Sequence, residues 1–510
     1  MSSHSRREFL KLMPLLALPL LQVRWPHLAK SANDSYQQQD TPNILILVFD
    51  TVSAKHVSLY GYNRETTPNL ARFAERSTVY HSHYAGANFT SPGTASLLTG
   101  TYPWSHRAFH LHGTVDDRFI ERNLFSLTPD NYYKIAYTHN LLVYSLLHQF
   151  RGNLGLLKQV RDLCLLDSEF ADRIFPDDFS TAFWGEWLFL RGGNTPPSSL
   201  FLSLTDRGRR FVNKRTITKE YGQLFPRGIP NLHSLFFILE DAIEWLKAEM
   251  KGFQQPFLGY FHFLPPHEPY ATRRDFVDVF RDNWKPSAKP PHFASEGHSD
   301  QFLNKQRREY DEYLAYADAE FGRLLDFMEQ SGLLDNMYLI LTSDHGELFE
   351  RGIRGHVTPT LYEPLIRVPL LISKPGQHER QDVHTPTSCV DVLPTLLHLT
   401  GQAIPDWCEG EILPTFASQE GNNERVVFAV EAKSNPKHTL LTKATIVIVK
   451  NQYKLINYLG YGNQDDTVEL YNLANDPEEL EDLYPSKPVI AADLKDQLVK
   501  QLQRANQSYL

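Results

Sequence analysis

The sequence predicts an α/β fold: a doubly wound, mostly parallel sheet with helices on both faces, plus a small C-terminal antiparallel α+β subdomain. Three observations lead there. Unbroken apolar runs of strand length recur at "NILILVF" (43–49), "FLGYFHF" (257–263), "MYLILTSD" (337–344) and "VPLLIS" (368–373). Such runs read as strands buried on both faces, as in parallel sheets. A strongly periodic helix separates the second run from the third, so strands and helices alternate. Beyond a polar stretch near 415–425 the pattern changes to short β-like runs closed by an amphipathic helix.

Composition narrows the function class. The 510 residues are 42% hydrophobic and 22% charged, an ordinary globular balance. The formal charge of −9 is mild, and no Lys/Arg block lies outside the extreme N-terminus, so nothing points to nucleic acid. Cys164, Cys389 and Cys408 are odd in number and lack CxxC spacing, which argues against a zinc finger or a disulfide framework and leaves one bridge open. The 21 histidines direct attention to metal or phosphate chemistry.

Taken in order, the chain opens with "SRREFLK" (Ser5 to Lys11), the apolar run "LMPLLALPLLQV" and then "HLAKSAND". Twin arginines before a short apolar segment form the address read by the twin-arginine export route. The run is too short to span a bilayer, which needs roughly 20 apolar residues. The expectation is a signal segment over 1–32 with cleavage near Ala29–Ala32, a linker over 33–41, and a folded periplasmic or extracellular protein without a stable transmembrane anchor. The main α/β domain is expected over 42–415 and the C-terminal subdomain over 424–510.

"TTPNLARFAERS" reads as a helix with Thr67 as N-cap, Pro68 at its first position, and Leu70, Phe73 and Ala74 on one face. Residues 140–235 and 271–308 read as irregular, Pro- and Gly-containing insertions that roof a site or decorate the surface. In "YDEYLAYADAEFGRLLDFMEQSG" (310–332), Tyr313, Ala317, Phe321, Leu324 and Met328 make a helical stripe that Gly332 ends. The runs "VVFAV", "TIVIV", "YKLINY" and "VELYNL" predict an antiparallel sheet, and 488–504 the closing helix.

In doubly wound folds, ligands sit outside the carboxyl ends of the strands. Asp50 ends the first strand, Asp344-His345 end "MYLILTSD", and His262 with His267 of "PPHEPY" finish "FLGYFHF". Carboxylates with imidazole suit a divalent cation of borderline type. In "NFTSPGTASLLTG" (88–100), Pro92 suits a first helical turn, so Thr90 or Ser91 is expected to cap a helix whose N-terminus makes an anion cradle. A hydroxyl placed there is either a cap alone or a nucleophile activated by a cation.

From about residue 42 to 485 the chain resembles the sulfatase branch of the alkaline phosphatase superfamily. The pieces run in family order: "PNILILVFDTVSAKHVSLYGYNRETTPNLARFA", "NFTSPGTASLLTGTYPWSH", "HFLPPHEPY", "LTSDHGELFERG", "GHVTPTLYEPLIRVPLLI", "DVLPTLLHLTG" and "VELYNLANDPEEL". The resemblance implies an alkaline-phosphatase-like fold and one divalent cation (Mn, Zn, Ca or Mg). It puts Asp50, Thr90, Asp344 and His345 at the metal and nucleophile positions. His267 and His356 fall where the family contacts the anionic group or protonates the leaving group; His106 and His139 lie near motif positions, His139 as a substrate-binding residue.

Two departures shape the expected chemistry. Family sulfatases carry Cys or Ser in C/S-x-P-x-R, oxidised to formylglycine; here the stretch is Thr90-Ser91-Pro92-Gly93-Thr94, and a threonine cannot give that aldehyde. The usual paired Asp after the first strand is Asp50-Thr51, and His345 stands where sulfatases often have Asn. The set resembles superfamily members that transfer phosphate through an unmodified threonine. The expected activity is therefore metal-dependent hydrolysis or transfer of small or polymer-linked phosphate esters. The other readings are a sulfuric ester hydrolase with an atypical nucleophile, or a catalytically silent protein that binds an anionic polymer.

Overall fold

The computed structural model describes residues 41–111, 113–165, 200–232, 235–417, 425–462 and 466–509. The expected signal segment (1–32), most of the linker (33–41), residue 424 and much of the 140–235 insertion lie outside them.

Eight strands form the central sheet: β1 (Asn43–Phe49), β2 (Thr78–Tyr80), β3 (Tyr133–Thr138), β4 (Leu156–Leu157), β5 (Phe257–Phe263), β6 (Met337–Thr342), β9 (Leu370–Ser373) and β10 (Gln381–Val383). Between β6 and β9 lies a hairpin of β7 (Leu348–Glu350) and β8 (Ile353–Gly355). The sheet order is β10-β2-β9-β6-β1-β5-β3-β4. β1 pairs in parallel with both β5 and β6, and β3 with β5. β9 runs against its neighbours β6 and β2, so "VPLLIS", an apolar run of the same kind, takes the opposite direction. An antiparallel strand buried on both faces has the same composition as a parallel one, and the run alone does not encode its direction.

β1 shows why the apolar run is unbroken. Ile44, Ile46 and Val48 enter one core, and Leu45, Leu47 and Phe49 the other. The first core is covered by α2 (Thr90–Thr99), α3 (Leu141–Gln149), α6 (Val392–Leu399) and α7 (Pro488–Asn506). The second is covered by α1 (Pro68–Ala74), α4 (Leu239–Met250) and α5 (Asp300–Gln330). Thr67 and Pro68 start α1 as expected. α5 starts at Asp300, ten residues before the expected start at 310 and within the stretch read as irregular, because Ser299 caps Phe302 N–H and its first turns are polar and partly exposed.

The C-terminal sheet is a four-stranded antiparallel meander of β11 (Val426–Glu431), β12 (Ala444–Lys450), β13 (Tyr453–Leu459) and β14 (Thr467–Asn472). One face joins the first core; the other packs on Leu348, Ile353, Leu361, Tyr362, Leu365 and Ile366 of the β7–β9 segment. Lys454 is fully buried between Glu363 (3.0 Å) and Glu479 (2.8 Å), so its ammonium is paired where an unpaired charge would cost several kcal/mol. Cys389 and Cys408 are not joined to each other in a disulfide. Among the described residues no helix is long and apolar enough to cross a membrane.

Candidate active site

Four neighbouring central strands, β6, β1, β5 and β3, deliver polar residues at their carboxyl ends: Asp344-His345, Asp50, His262 and His139-Asn140. The N-terminus of α2 faces them. Gly93 makes this approach possible, since a Cβ there would lie 2.2 Å from the Asp344 carbonyl oxygen.

Thr90 and Ser91 do not cap α2. Phe89 occupies the N-cap position in extended backbone without a side-chain cap bond, and Thr90 is already the first helical residue. A residue inside the helix cannot fold its hydroxyl back onto the N–H groups of the first turn, so both hydroxyls are free for other partners. Ser91 Oγ donates to the Leu111 carbonyl at 2.6 Å. Thr90 Oγ1 lies 3.3 Å from His345 Nε2, at the positive end of the helix dipole.

Asp50, Asp344 and His345 are fully buried, and one ligand atom from each lies within 4.8 Å of the others. His345 Nδ1 is 2.9 Å from the Gly346 carbonyl, which fixes the proton on Nδ1 and turns the Nε2 lone pair inward. That lone pair faces Asp50 Oδ1 at 3.5 Å and Asp344 Oδ2 at 3.7 Å. Asp50 Oδ1 is buried and has no hydrogen-bond partner among the described residues. Three acceptors therefore converge, with only the Thr90 and Thr94 hydroxyls near two of them and none at Asp50 Oδ1, and one nitrogen with two carboxylates fits a divalent cation. Burial and the nearby Asp50 carboxylate push Asp344 well above the usual carboxylate range. Burial opposes ionisation of Asp50 too, but His267, His262 and His345 outweigh it and hold Asp50 below that range.

Supporting contacts surround these three. His262 Nε2 lies 3.2 Å from Asp50 Oδ2, while Tyr260 OH meets its Nδ1 at 3.1 Å. Thr94 Oγ1 is 3.5 Å from Asp344 Oδ2. Thr51, next to Asp50, adopts φ 64°, a left-handed conformation rare for a β-branched residue, and its carbonyl accepts from Tyr310 OH at 2.6 Å.

His267 and His356 border the same cluster. The ring of His356 is 4.5 Å from that of His345 and 5.0 Å from that of His267. His267 Nδ1 donates to the Glu268 carbonyl at 2.7 Å, and Glu268 pairs with Arg354. Burial lowers the His267 pKa, but Asp50 and Glu347 outweigh it and leave the imidazole above its ordinary value. His139 is placed differently. Its ring stacks on Phe237 at 4.2 Å and meets Tyr137 edge-on, with both nitrogens buried and without a hydrogen-bond partner among the described residues. Burial lowers it to about 3, so it is neutral. His106 packs in the core, donating from Nε2 to Ser96 Oγ (3.0 Å) and accepting at Nδ1 from Ala108 N–H (3.0 Å).

Two site residues escape the sequence reading. Asn140 Nδ2 donates to Asp50 Oδ2 at 2.6 Å and lies 3.5 Å from Thr90 Oγ1. Its strand, "YKIAYT", carries a lysine and two tyrosines, so it lacks the apolar signature and its end is not flagged as a strand end. Glu347 touches His356 from inside "SDHGE", where the motif gives no hint of its partner.

The family model described as "Sulfatase" matches residues 42–402, and "N-sulphoglucosamine sulphohydrolase, C-terminal" matches 358–508. A choline-sulfatase of Rhizobium meliloti is 25% identical over 490 residues, covering 89% of this chain and 85% of that protein. An ulvan-active sulfatase of Formosa agariphila is 24% identical over 396 residues; the match spans 74% of this chain and 66% of that protein. In structure, the phosphonate monoester hydrolase of Agrobacterium radiobacter aligns with TM-score 0.63 and 18% identity over 91% of this chain and 96% of that one.

Proposed function

Because the chain belongs to the sulfatase family, ester hydrolases of the alkaline phosphatase superfamily, we propose that it cleaves phosphate or phosphonate esters with Thr90 as an unmodified nucleophile. One observation carries this reading: Thr90 Oγ1 sits at a helix N-terminus, 3.3 Å from the inward lone pair of His345. Asp50, Asp344 and His345, with Thr90 beside them, would hold a divalent cation, whose charge would favour the ionised hydroxyl and polarise the bound ester.

The protein's own groups then account for the steps. Thr90 Oγ1 attacks phosphorus in line, and the ester oxygen leaves on the opposite side. His356 or His267 gives the leaving oxygen its proton. The Asn140 amide and the first N–H groups of α2 face the oxygens on which charge builds, which is the main catalytic contribution. Water, or an acceptor alcohol, then attacks the phospho-threonine.

That last step argues for phosphorus over sulfur. A formylglycine hydrate expels sulfate by breaking its own C–O bond with help from its second hydroxyl, and a threonine ester has no such hydroxyl. A threonine intermediate must be resolved by attack at the central atom, which is ordinary for phosphorus. Sulfate ester hydrolysis is the second reading, favoured by the names of the relatives. The test is turnover of aryl phosphate monoesters, phosphodiesters, phosphonate monoesters and sulfates by protein loaded with manganese or zinc. Phosphoester turnover with a phosphorylated Thr90 peptide is the expected result; sulfate turnover alone reverses the order. The Arg6-Arg7 leader adds the expectation of work outside the cytoplasm, checked by fusing 1–32 to a reporter active only after export.

A further inference from the structure

The β7–β8 hairpin has a feature that the reaction above leaves unused. Its register pairs Leu348 with Gly355, so Glu347 and His356 stand opposite one another on the next rung. Both are buried, and His356 Nδ1 lies 3.1 and 3.2 Å from the two carboxylate oxygens of Glu347. Gly355 sits between them at φ 95°, a backbone conformation that side-chain-bearing residues rarely adopt. With Nδ1 taken, Nε2 is the ring nitrogen that makes no hydrogen bond to the protein among the described residues, and the ring lies against His345 and His267 at the cluster.

We propose that Glu347 is the positioning residue for His356, holding Nδ1 so that Nε2 is the nitrogen presented to the leaving oxygen. This rests on the Thr90 reading and adds a role to a residue outside it. A buried imidazole without such a partner turns about χ2 and exchanges tautomers, and a carboxylate fixes both. One proton is shared between Glu347 and Nδ1, and a second sits on Nε2. As the bond from Thr90 Oγ1 to phosphorus forms and the ester P–O bond breaks, the electron pair stays on the leaving oxygen. That oxygen takes the Nε2 proton, and the shared proton settles on Nδ1. Water that attacks the phospho-threonine returns a proton to Nε2. Whichever partner holds the shared proton at rest, the same nitrogen faces the substrate.

The test is kcat/KM of wild type, Glu347→Ala and Glu347→Gln on aryl phosphoesters whose leaving groups run from a dinitrophenol, which needs no proton, to phenol, which does. Glu347→Ala is expected to lose about 10- to 100-fold on the phenyl ester and little on the dinitrophenyl ester. Glu347→Gln still hydrogen-bonds Nδ1 and holds the ring but has no carboxyl proton to share, so it is expected to recover only part of the loss on the phenyl ester. If the alanine variant does not fold, Glu347→Asp, which retracts the acceptor, takes its place with the same expected tilt. An equal loss across all leaving groups, or no loss, overturns the proposal. Failure of the Thr90 reading looks different: wild type would show no phosphoester turnover, or Thr90→Ala would retain it.

Discussion

Asn140 and Asp50 share a 2.6 Å hydrogen bond that ties the end of β3 to the end of β1, and the same amide nitrogen reaches to 3.5 Å from Thr90 Oγ1. Asn140 also caps α3, its Oδ1 accepting from Leu142 N–H at 2.9 Å. The two roles separate by mutation. Asn140→Ser keeps a cap and loses the amide donor, so kcat should fall about 10- to 100-fold with the melting temperature nearly unchanged. Asn140→Ala should lose activity and about 1 kcal/mol of stability as well. Steady-state kinetics beside thermal melts distinguish the two.

Thr90→Ala should abolish turnover while leaving the fold intact, and Ser91→Ala should stay near wild type because Ser91 Oγ is committed to Leu111. Thr90→Ser should retain part of the activity. A rapid-quench digest should find the phosphoryl group on the Thr90 peptide of wild type and Thr90→Ser alone.

Cation binding should be visible in stability. At a free cation concentration of about 100 times Kd, wild type gains about 2.7 kcal/mol. Asp50→Asn and Asp344→Asn, each short of one charged ligand, should gain far less. Urea titrations of chelator-treated protein, with and without manganese or zinc, read this directly.

Gly93→Ala should damage site and fold together. Its Cβ would fall 2.2 Å from the Asp344 carbonyl oxygen, and that atom belongs to a buried loop that cannot retreat. Overpacking of this kind costs typically about 1–3 kcal/mol, and the displaced Asp344 should weaken cation affinity. Urea unfolding and cation titration of the same sample test both halves.

His106 sets an acid limit. Burial holds its imidazole down to about 3, from an ordinary 6.5, and both nitrogens are already satisfied in the neutral form. Between those values the unfolded chain binds a proton that the folded chain refuses, so this stability is complete above pH 6.5 and drains as pH falls towards 3. Each unit in that window removes about 1.4 kcal/mol. Urea melts of wild type and His106→Gln between pH 7 and 4 should show a shallower decline for the variant.

Much of the fold was legible because burial on two faces leaves an apolar run with no polar gap, as in β1, β5 and β6. The candidate ligands at their ends are legible from the rule that doubly wound sheets bind at strand carboxyl ends. β3 was not legible, since Lys134 and its tyrosines interrupt the run, and Asn140 was lost with it. Glu347 stayed hidden for another reason: its meaning comes from hairpin register, which no local pattern records. The helix start at Thr90 is legible, but the expected cap role is not what the chain does: the cap position belongs to Phe89.

Thr51 holds a left-handed backbone beside Asp50, a conformation that costs a β-branched residue roughly 1–3 kcal/mol and that asparagine and aspartate accept readily. Replacing it with either would relax the chain and add an oxygen donor next to the candidate ion site in one stroke. Position 51 therefore couples backbone strain to the candidate ion site, so a substitution there should move stability and cation affinity in the same direction, where most active-site changes give up one for the other.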